Sequence, residues 1–364
     1  MSENRVTRSS SDTASCSCCS GVQQQDALPC SGETSPNLIP AIMTTTSTLT
    51  FAARLDHLLA RWGVNRMGHV VKPGLYQLGN PTPDSPVFVS ANYTLSFDSL
   101  RSALSGIDAY LLVLDTRGIN VWCAAGKGTF GTDELVKRIG NTGLVSVVRH
   151  RTVIVPQMGA PGISAHQVRE RSGFRVEYGP VRARDLPEYL QTRKATPAMR
   201  RVEFPFRERI VLSPVELVHA ALPTIVAAIL LYFIAGLIAS LAAVTTILAG
   251  TVLFPALLPF LPTKDFSTKG LILGILVALP FAAYAWTHFS LPSWARLLAG
   301  IMPLFLIPPV VSYLALNFTG CTPFTSRSGV KAEIFIYVRV MVAMAACGIV
   351  LAVLFGALWF LGVA

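Results

Sequence analysis

Charge is what the second half of this 364-residue sequence lacks. Of its 30 Lys and Arg and 20 Asp and Glu, only eight lie beyond Leu217: Lys264, Asp265, Lys269, Arg296, Arg327, Lys331, Glu333 and Arg339. So sparse a distribution excludes a second water-soluble domain and points to a membrane-embedded half. No ionisable residue falls deep within the apolar runs; His219 and His288 stand near their ends. The mid-membrane acids and cations of an ion-coupled transporter are therefore missing. A disulfide framework is missing too. The seven cysteines are odd in number, and their spacings match neither paired bridges nor paired zinc knuckles. The polar N-terminus lacks the apolar core of a secretory signal, so a reducing, cytoplasmic setting is expected for the front half. The net charge of +10 comes with no basic stripe interleaved with aromatics, which argues against a nucleic-acid partner.

What is present divides in three. Residues 1–45 are rich in Ser, Thr, Gln and Pro and read as a disordered tail. Within it "CSCCSG" is either a soft-metal hook or an ordinary tail, with Met43 as an alternative start. Residues 46–205 alternate strand and helix patterns. The strands are expected at 86–91, 109–116, 151–157 and 174–181, and the helices at 97–106, 131–141, 164–173 and 183–191, after a first helix opening near Thr48. That order predicts an α/β, Rossmann-like domain with a parallel sheet, whose ligands bind beyond the carboxyl ends of the strands. Residues 206–364 form an expected all-α transmembrane domain of five helices, at about 216–236, 241–262, 270–287, 297–317 and 340–363. Each is close to the ~20 apolar residues needed to cross a bilayer. Lys and Arg number five in the loops 263–269 and 318–339 against one in the other two loops. The positive-inside rule then puts the front domain in the cytoplasm and the C-terminus outside.

One stretch stands apart: "DTRGINVWCAAGKGTFGT", from Asp115 to Thr132, directly after an expected strand. Three chemistries compete for its cysteine. A phosphate-binding loop would need glycine at Val121, and fails. A thiol nucleophile would need a base, and only His150 and His166 offer one there, in no recognisable motif. A metal ligand at a helix start remains. Asn120 is a good N-cap, which puts Cys123 in a first turn where thiolate is favoured. A lone thiolate suits the axial position of a metal already held by a macrocycle, and Ala124, Ala125, Gly126 and Gly128 would let a flat ring lie close to the backbone.

"NVWCAAGK" (120–127) closely resembles the signature of the mercury-methylating corrinoid proteins, the HgcA family. "ANYTLSFDSLR" (91–101), "GPVRARDLPEYL" (179–190) and "FTGCTPFTSRSGVKAE" (318–333) resemble other blocks of that family. The front domain is also similar to the large subunit of the corrinoid iron–sulfur protein. The resemblance implies a cobamide (a vitamin B12-type corrinoid) whose cobalt is ligated by Cys123, with Ser90, Asn120, Val121, Trp122, Ala124, Ala125, Gly126 and Lys127 as cofactor-binding residues. It implies methyl transfer to Hg(II) to form methylmercury, a partner ferredoxin of the HgcB type with two 4Fe–4S clusters, and a methyltetrahydrofolate-linked methyl donor. It implies a multi-pass protein of the cytoplasmic (inner) membrane of an anaerobe, in contact with lipid. Two positions depart from the pattern: Ser90 where threonine is usual, and Cys321 where a small residue is expected, read either as a mercury relay or as a neutral exchange. The alternatives are a corrinoid methyl carrier of one-carbon metabolism and a transporter with a cytoplasmic regulatory domain.

Overall fold

The computed structural model describes residues 42–288, 291–322 and 327–361; Cys16, Cys18, Cys19 and Cys30 lie outside the described residues. In chain order the front part runs β1 (Met43–Thr45), α1 (Phe51–Arg61), β2 (Gly74–Leu78), β3 (Val87–Ala91), α2 (Thr94–Ala103), β4 (Ala109–Leu114), α3 (Val121–Lys127), α4 (Thr132–Asn141), α5 (Leu144–Val147), β5 (Thr152–Val155), α6 (Ala165–Ser172), β6 (Arg175–Tyr178) and α7 (Leu186–Thr192). The six strands form one sheet in the order β1-β2-β4-β3-β5-β6. The four expected strands form one parallel run within it: β3 pairs parallel with β4 and β5, and β5 with β6. All six residues of β4, "AYLLVL", are buried, as a strand covered on both faces requires.

Two strands depart from the sequence expectation. β2 runs antiparallel to β4, so the sheet is mixed. Its sequence, "GLYQL", carries too little β-branched or alternating signal to announce a strand. Met43–Thr45, placed in the tail by composition, pairs parallel with β2 at the sheet edge. Three residues are too few to show a period, and only their partner makes them a strand.

Alternation along the central strands sends side chains to two cores. Val87, Val89, Ala91, Leu112 and Leu114 pack with Phe130, Leu135 and Ile139 beneath α3 and α4. Phe88, Leu111 and Val113 face the other way, onto Phe97, Leu100 and Leu104 of α2 and its turn, and onto Leu186 and Tyr189 of α7. The chain leaves β3 for β4 on one side and then crosses to β5 and β6 on the other. β3 is therefore the switch point of the topology, where open α/β sheets bind ligands beyond their strand ends.

The back part holds α8 (Phe206–Ile210), α9 (Ser213–Leu248), α10 (Phe254–Leu257), α11 (Phe266–His288), α12 (Ser293–Phe318) and α13 (Arg327–Phe360). Among the described residues four helices are long and apolar enough to cross a membrane: Phe206–Leu257, Phe266–His288, Ser293–Phe318 and Ser328–Phe360. The first of them covers two of the five expected spans. Gly236 interrupts it at φ +82°, ψ −176°, and Leu217 and Leu248 line the same cavity of about 280 Å³. In a straight helix those two residues would stand ~46 Å apart at 1.5 Å per residue. Gly236 thus turns α9 back on itself, a backbone angle open to glycine and strained for other residues. The expected loop 237–240 is reduced to that one residue. Much of the loop expected at 318–339 is likewise helical, since α13 begins at Arg327.

Candidate functional site

The loops after β3 and β4 are tied together by one buried side chain. Asn92 Oδ1 accepts from the Thr116 amide (3.0 Å), the Thr116 hydroxyl (2.8 Å) and the Gly118 amide (3.0 Å). Asn92 and Thr116 are both buried. The Thr116 hydroxyl also stands 2.7 Å from the carbonyl of Ile119, the residue before the cap of α3, so its single proton is shared between the two acceptors. Glu134 accepts from the Asp115 amide at 2.9 Å and pairs with Arg138 at 2.6 Å, tying α4 to the same strand end. The platform under Cys123 is thereby fixed before α3 begins.

Asn120 caps α3 as the sequence reading expects, its Oδ1 accepting from the Cys123 amide at 2.9 Å. Gly128 closes the helix at φ +84°, so it is a left-handed cap rather than a member of the helix. Ala124 and Ala125 are buried in the core, and Val121 packs against its edge. Cys123 is half-buried in the first turn, with Gly126 half-buried and Lys127 exposed at the far end. The far side of α3 rests on a 3-10 turn, Gln157–Gly162. A β-carbon on Gly162 would stand 2.1 Å from the Phe130 carbonyl oxygen and 3.1 Å from the Ala125 Cα. That glycine sets how closely the two segments approach. Gly162→Ala should therefore lift the turn from α3 and lower stability by ~1–3 kcal/mol, the usual cost of overpacking, measured as a loss in denaturant midpoint.

Removing the cap has a smaller expected effect. Asn120→Ala should cost ~1 kcal/mol and show first as faster hydrogen exchange at the α3 amides, because the Cys123 N–H loses its partner. Unchanged exchange at Cys123 would count against the cap's role.

The other expected site residues divide. Trp122 is not in the core. It lines a surface cavity of about 260 Å³ with Gln157, Met158, Pro161, Arg200 and Val202. Ser90 is buried in β3, its hydroxyl donating to the Ala91 carbonyl at 3.3 Å. Alternation places it on the Phe88 face, whereas the α3 alanines pack on the other. Sequence order suggested no such separation. Cys321 ends a 3-10 turn, Thr319–Cys321, after α12.

Two residues near Cys123 were not singled out from sequence. Asn92 is the hub just described. Tyr93, next to it, precedes α2, and burial pushes its phenol above the usual range. The guanidinium groups of Arg66 and Arg61 oppose that shift, while Asp56 and Cys123 reinforce it. The phenol is thus within electrostatic reach of the cysteine. Both residues lie in "ANYTLSFDSLR", so the quoted block held the signal, but only folding shows that it meets "NVWCAAGK".

Residues 63–190 match the family described as CO dehydrogenase/acetyl-CoA synthase delta subunit. That segment starts after α1 and ends in α7, and it holds Asn92, Tyr93, the Thr116 loop and all of α3, though not Arg200 and Val202 of the cavity beside Trp122. Among curated proteins it is similar to the acetyl-CoA decarbonylase/synthase complex subunit gamma of Methanopyrus kandleri, 33% identical over 33% of this chain and 26% of the relative. The subunit gamma of Methanothermobacter thermautotrophicus is 32% identical over 34% of this chain and 27% of its own length. That of Archaeoglobus fulgidus is 31% identical over 33% and 26%. The chain therefore spans about a quarter of the length of the curated relatives it matches. The likeness is to one domain. β1, α1 and all the long apolar helices lie outside it.

Proposed function

We propose that the α/β domain, within residues 46–205, binds a cobamide whose cobalt Cys123 would ligate, and that the chain is a membrane-anchored, corrinoid-dependent methyltransferase acting on Hg(II). The observation that carries the reading is the capped helix "NVWCAAGK" at the switch point of a domain that matches the acetyl-CoA synthase delta family. The residues suit the group. The cysteine is only half-covered and its own amide is already bonded; Ala124 and Ala125 are turned into the core and Gly126 carries no side chain, so positions 124–126 put nothing bulky on the exposed face of α3. When bound, the cobamide supplies a methyl group that leaves with its bonding pair toward an electrophile such as Hg(II).

The chain's own part is to hold and to tune. Cys123, as thiolate, would donate electron density to the cobalt, and so strong a donor would favour release of the methyl group as a carbanion equivalent. Asn120 and the Asn92–Thr116 hub hold the helix that presents it. Trp122, Gly126 and Lys127 border the same face, and Tyr93 adds a neutral phenol close by. Ser90 enters this reading only as support for the strand end. The long apolar helices anchor the domain with its site in the cytoplasm and the C-terminus outside, in the cytoplasmic membrane. The partners are the two-cluster ferredoxin-type reductant and a methyltetrahydrofolate-linked donor.

The test is mercury methylation by cells with and without the gene, beside the absorption spectrum of the purified protein loaded with cobamide. The likeness to subunit gamma of the acetyl-CoA decarbonylase/synthase complex favours one second reading, a methyl carrier of one-carbon metabolism. A cobamide-loaded protein that passes its methyl group to an acetyl-CoA synthase but not to Hg(II) would establish that reading instead.

Gly126→Ala checks whether α3 must loosen during turnover. Alanine in a helix interior is favoured by ~1 kcal/mol over glycine, so the variant should stiffen the cap and slow cobalt reduction more than it alters cobamide affinity. Equal reduction rates by stopped flow would show that the cap does not gate the cycle. Gly128→Ala does not serve, because φ +84° strains any side chain there.

A further inference from the structure

α1 is an amphipathic helix turned inside out. Its polar residues face the domain: His57 bonds Asp98 at 2.7 Å, and Asp56 bonds the buried His69 at 2.7 Å. Asp98 in turn holds Arg101, whose guanidinium bonds the Thr48 carbonyl at 2.8 Å, just before the helix. Only Ala60 of α1 is buried. The apolar residues point away. Phe51 is 82% exposed, Leu55 45%, Leu58 53%, Trp62 45% and Met67, just past the helix, 62%. The helical period puts 51, 55, 58 and 62 on one face. Arg54, Arg61 and Arg66 are exposed beside it, while the one acid of α1, Asp56, is half-covered and bonded to His69.

A water-soluble domain gains nothing from that arrangement, and a second surface must cover it. Its position indicates which. At the end of α1 a β-carbon on Gly63 would stand 3.1 Å from Val215 and 3.9 Å from His219. Both belong to α9, at the entry of the first long apolar helix. The exposed face is therefore continuous with the point where the chain enters the apolar bundle. An apolar stripe with tryptophan, flanked by arginines and next to a spanning helix, suits the interface of an anionic bilayer.

We propose that α1 lies in the cytoplasmic headgroup layer of an anionic membrane, its Phe51–Leu58–Trp62 face among the acyl chains and its arginines on lipid phosphates. The domain then has two attachments to the bilayer, the covalent link through α8 and the surface of α1. Together they fix its orientation over the membrane instead of leaving it to swing on a tether. The proposal is independent of the cofactor reading.

The test uses the full chain reconstituted in vesicles of phosphatidylglycerol and phosphatidylcholine, with ordinary or dibrominated acyl chains. The Trp62 emission is isolated by subtracting the spectrum of Trp62→Phe. That component should be roughly halved or more by brominated lipid and shielded from aqueous iodide, as for a ring at the acyl boundary. In Leu55→Asp/Leu58→Asp, at two exposed positions outside the buried core, the bromine quenching should vanish and iodide quenching appear, with circular dichroism showing that the fold is kept. Trp62 emission indifferent to bromine and open to iodide overturns the proposal. So does shielding that appears only when the ferredoxin-type partner is added, which would assign the face to a protein. Bromine quenching that survives the double substitution overturns it as well.

Discussion

Cys123→Ala is expected to leave the protein folded and to reduce methyl transfer to Hg(II) to background. The cap of α3 rests on the backbone amide of residue 123, which the substitution keeps. Asn120 holds the backbone amide of residue 123, and alanine is the best helix former. The side chain is half-buried, so stability should stay within ~0.5 kcal/mol of the parent. The chemical loss is large by contrast. Outer-shell partners of a metal ligand are worth ~10–100-fold in affinity or activity, and removing the ligand itself should exceed the upper end of that range. Circular dichroism would establish the fold. The electron resonance of the cobamide-loaded Co(II) form should lose the signature of sulfur ligation. An identical spectrum in parent and variant would dismiss Cys123 as a ligand, and retained activity would dismiss the thiolate as the electron source.

Asn92→Ala should be the most damaging single change away from the cysteine. It leaves the Thr116 and Gly118 amides unbonded in a buried position and frees the Thr116 hydroxyl from one partner. Each buried donor left unsatisfied costs ~1–3 kcal/mol, so the total should be ~3 kcal/mol or more. For a domain of this size that lowers the melting temperature by ~6–12 °C, at 2–4 °C per kcal/mol. Asn92→Asp keeps the acceptor but faces Asp115, whose carboxylate the Asn92 amide now contacts at 3.4 Å. It should therefore rescue the three accepted bonds and still fall short of the parent. Cobamide affinity should follow stability in this series, because the bonds of Asn92 run to the loop that positions α3. A folded Asn92→Ala with normal stability would mean that the two loops are held by something else.

How much of this was written in the sequence depends on the range of the interaction involved. The parallel strands, the cap at Asn120 and the place of Cys123 in a first turn are local properties. Apolar runs, a side chain bonding its own backbone three residues on, and a left-handed glycine are all legible in a few consecutive residues. The apolar half was legible for the same reason, since the absence of charge is a count and needs no partner. Residue pairs distant along the chain were not legible. β1 and β2 exist because each has a neighbouring strand, and "MTT" or "GLYQL" alone states no preference strong enough to show it. Asn92 and Thr116 meet only because β3 and β4 lie side by side, and Ser90 parts from Cys123 because alternation turns it to the other face. The hairpin in α9 was seen as two spans, yet its single-residue turn rests on the backbone angles of Gly236. α1 shows the limit most clearly. Phe51, Leu55, Leu58 and Leu59 recur at helical spacing, which predicts a helix but not which of its faces turns to the domain. The contacts of His57, Asp56 and Ala60 decide that, and they depend on α2 and on the turn that carries His69, which no pattern within α1 contains.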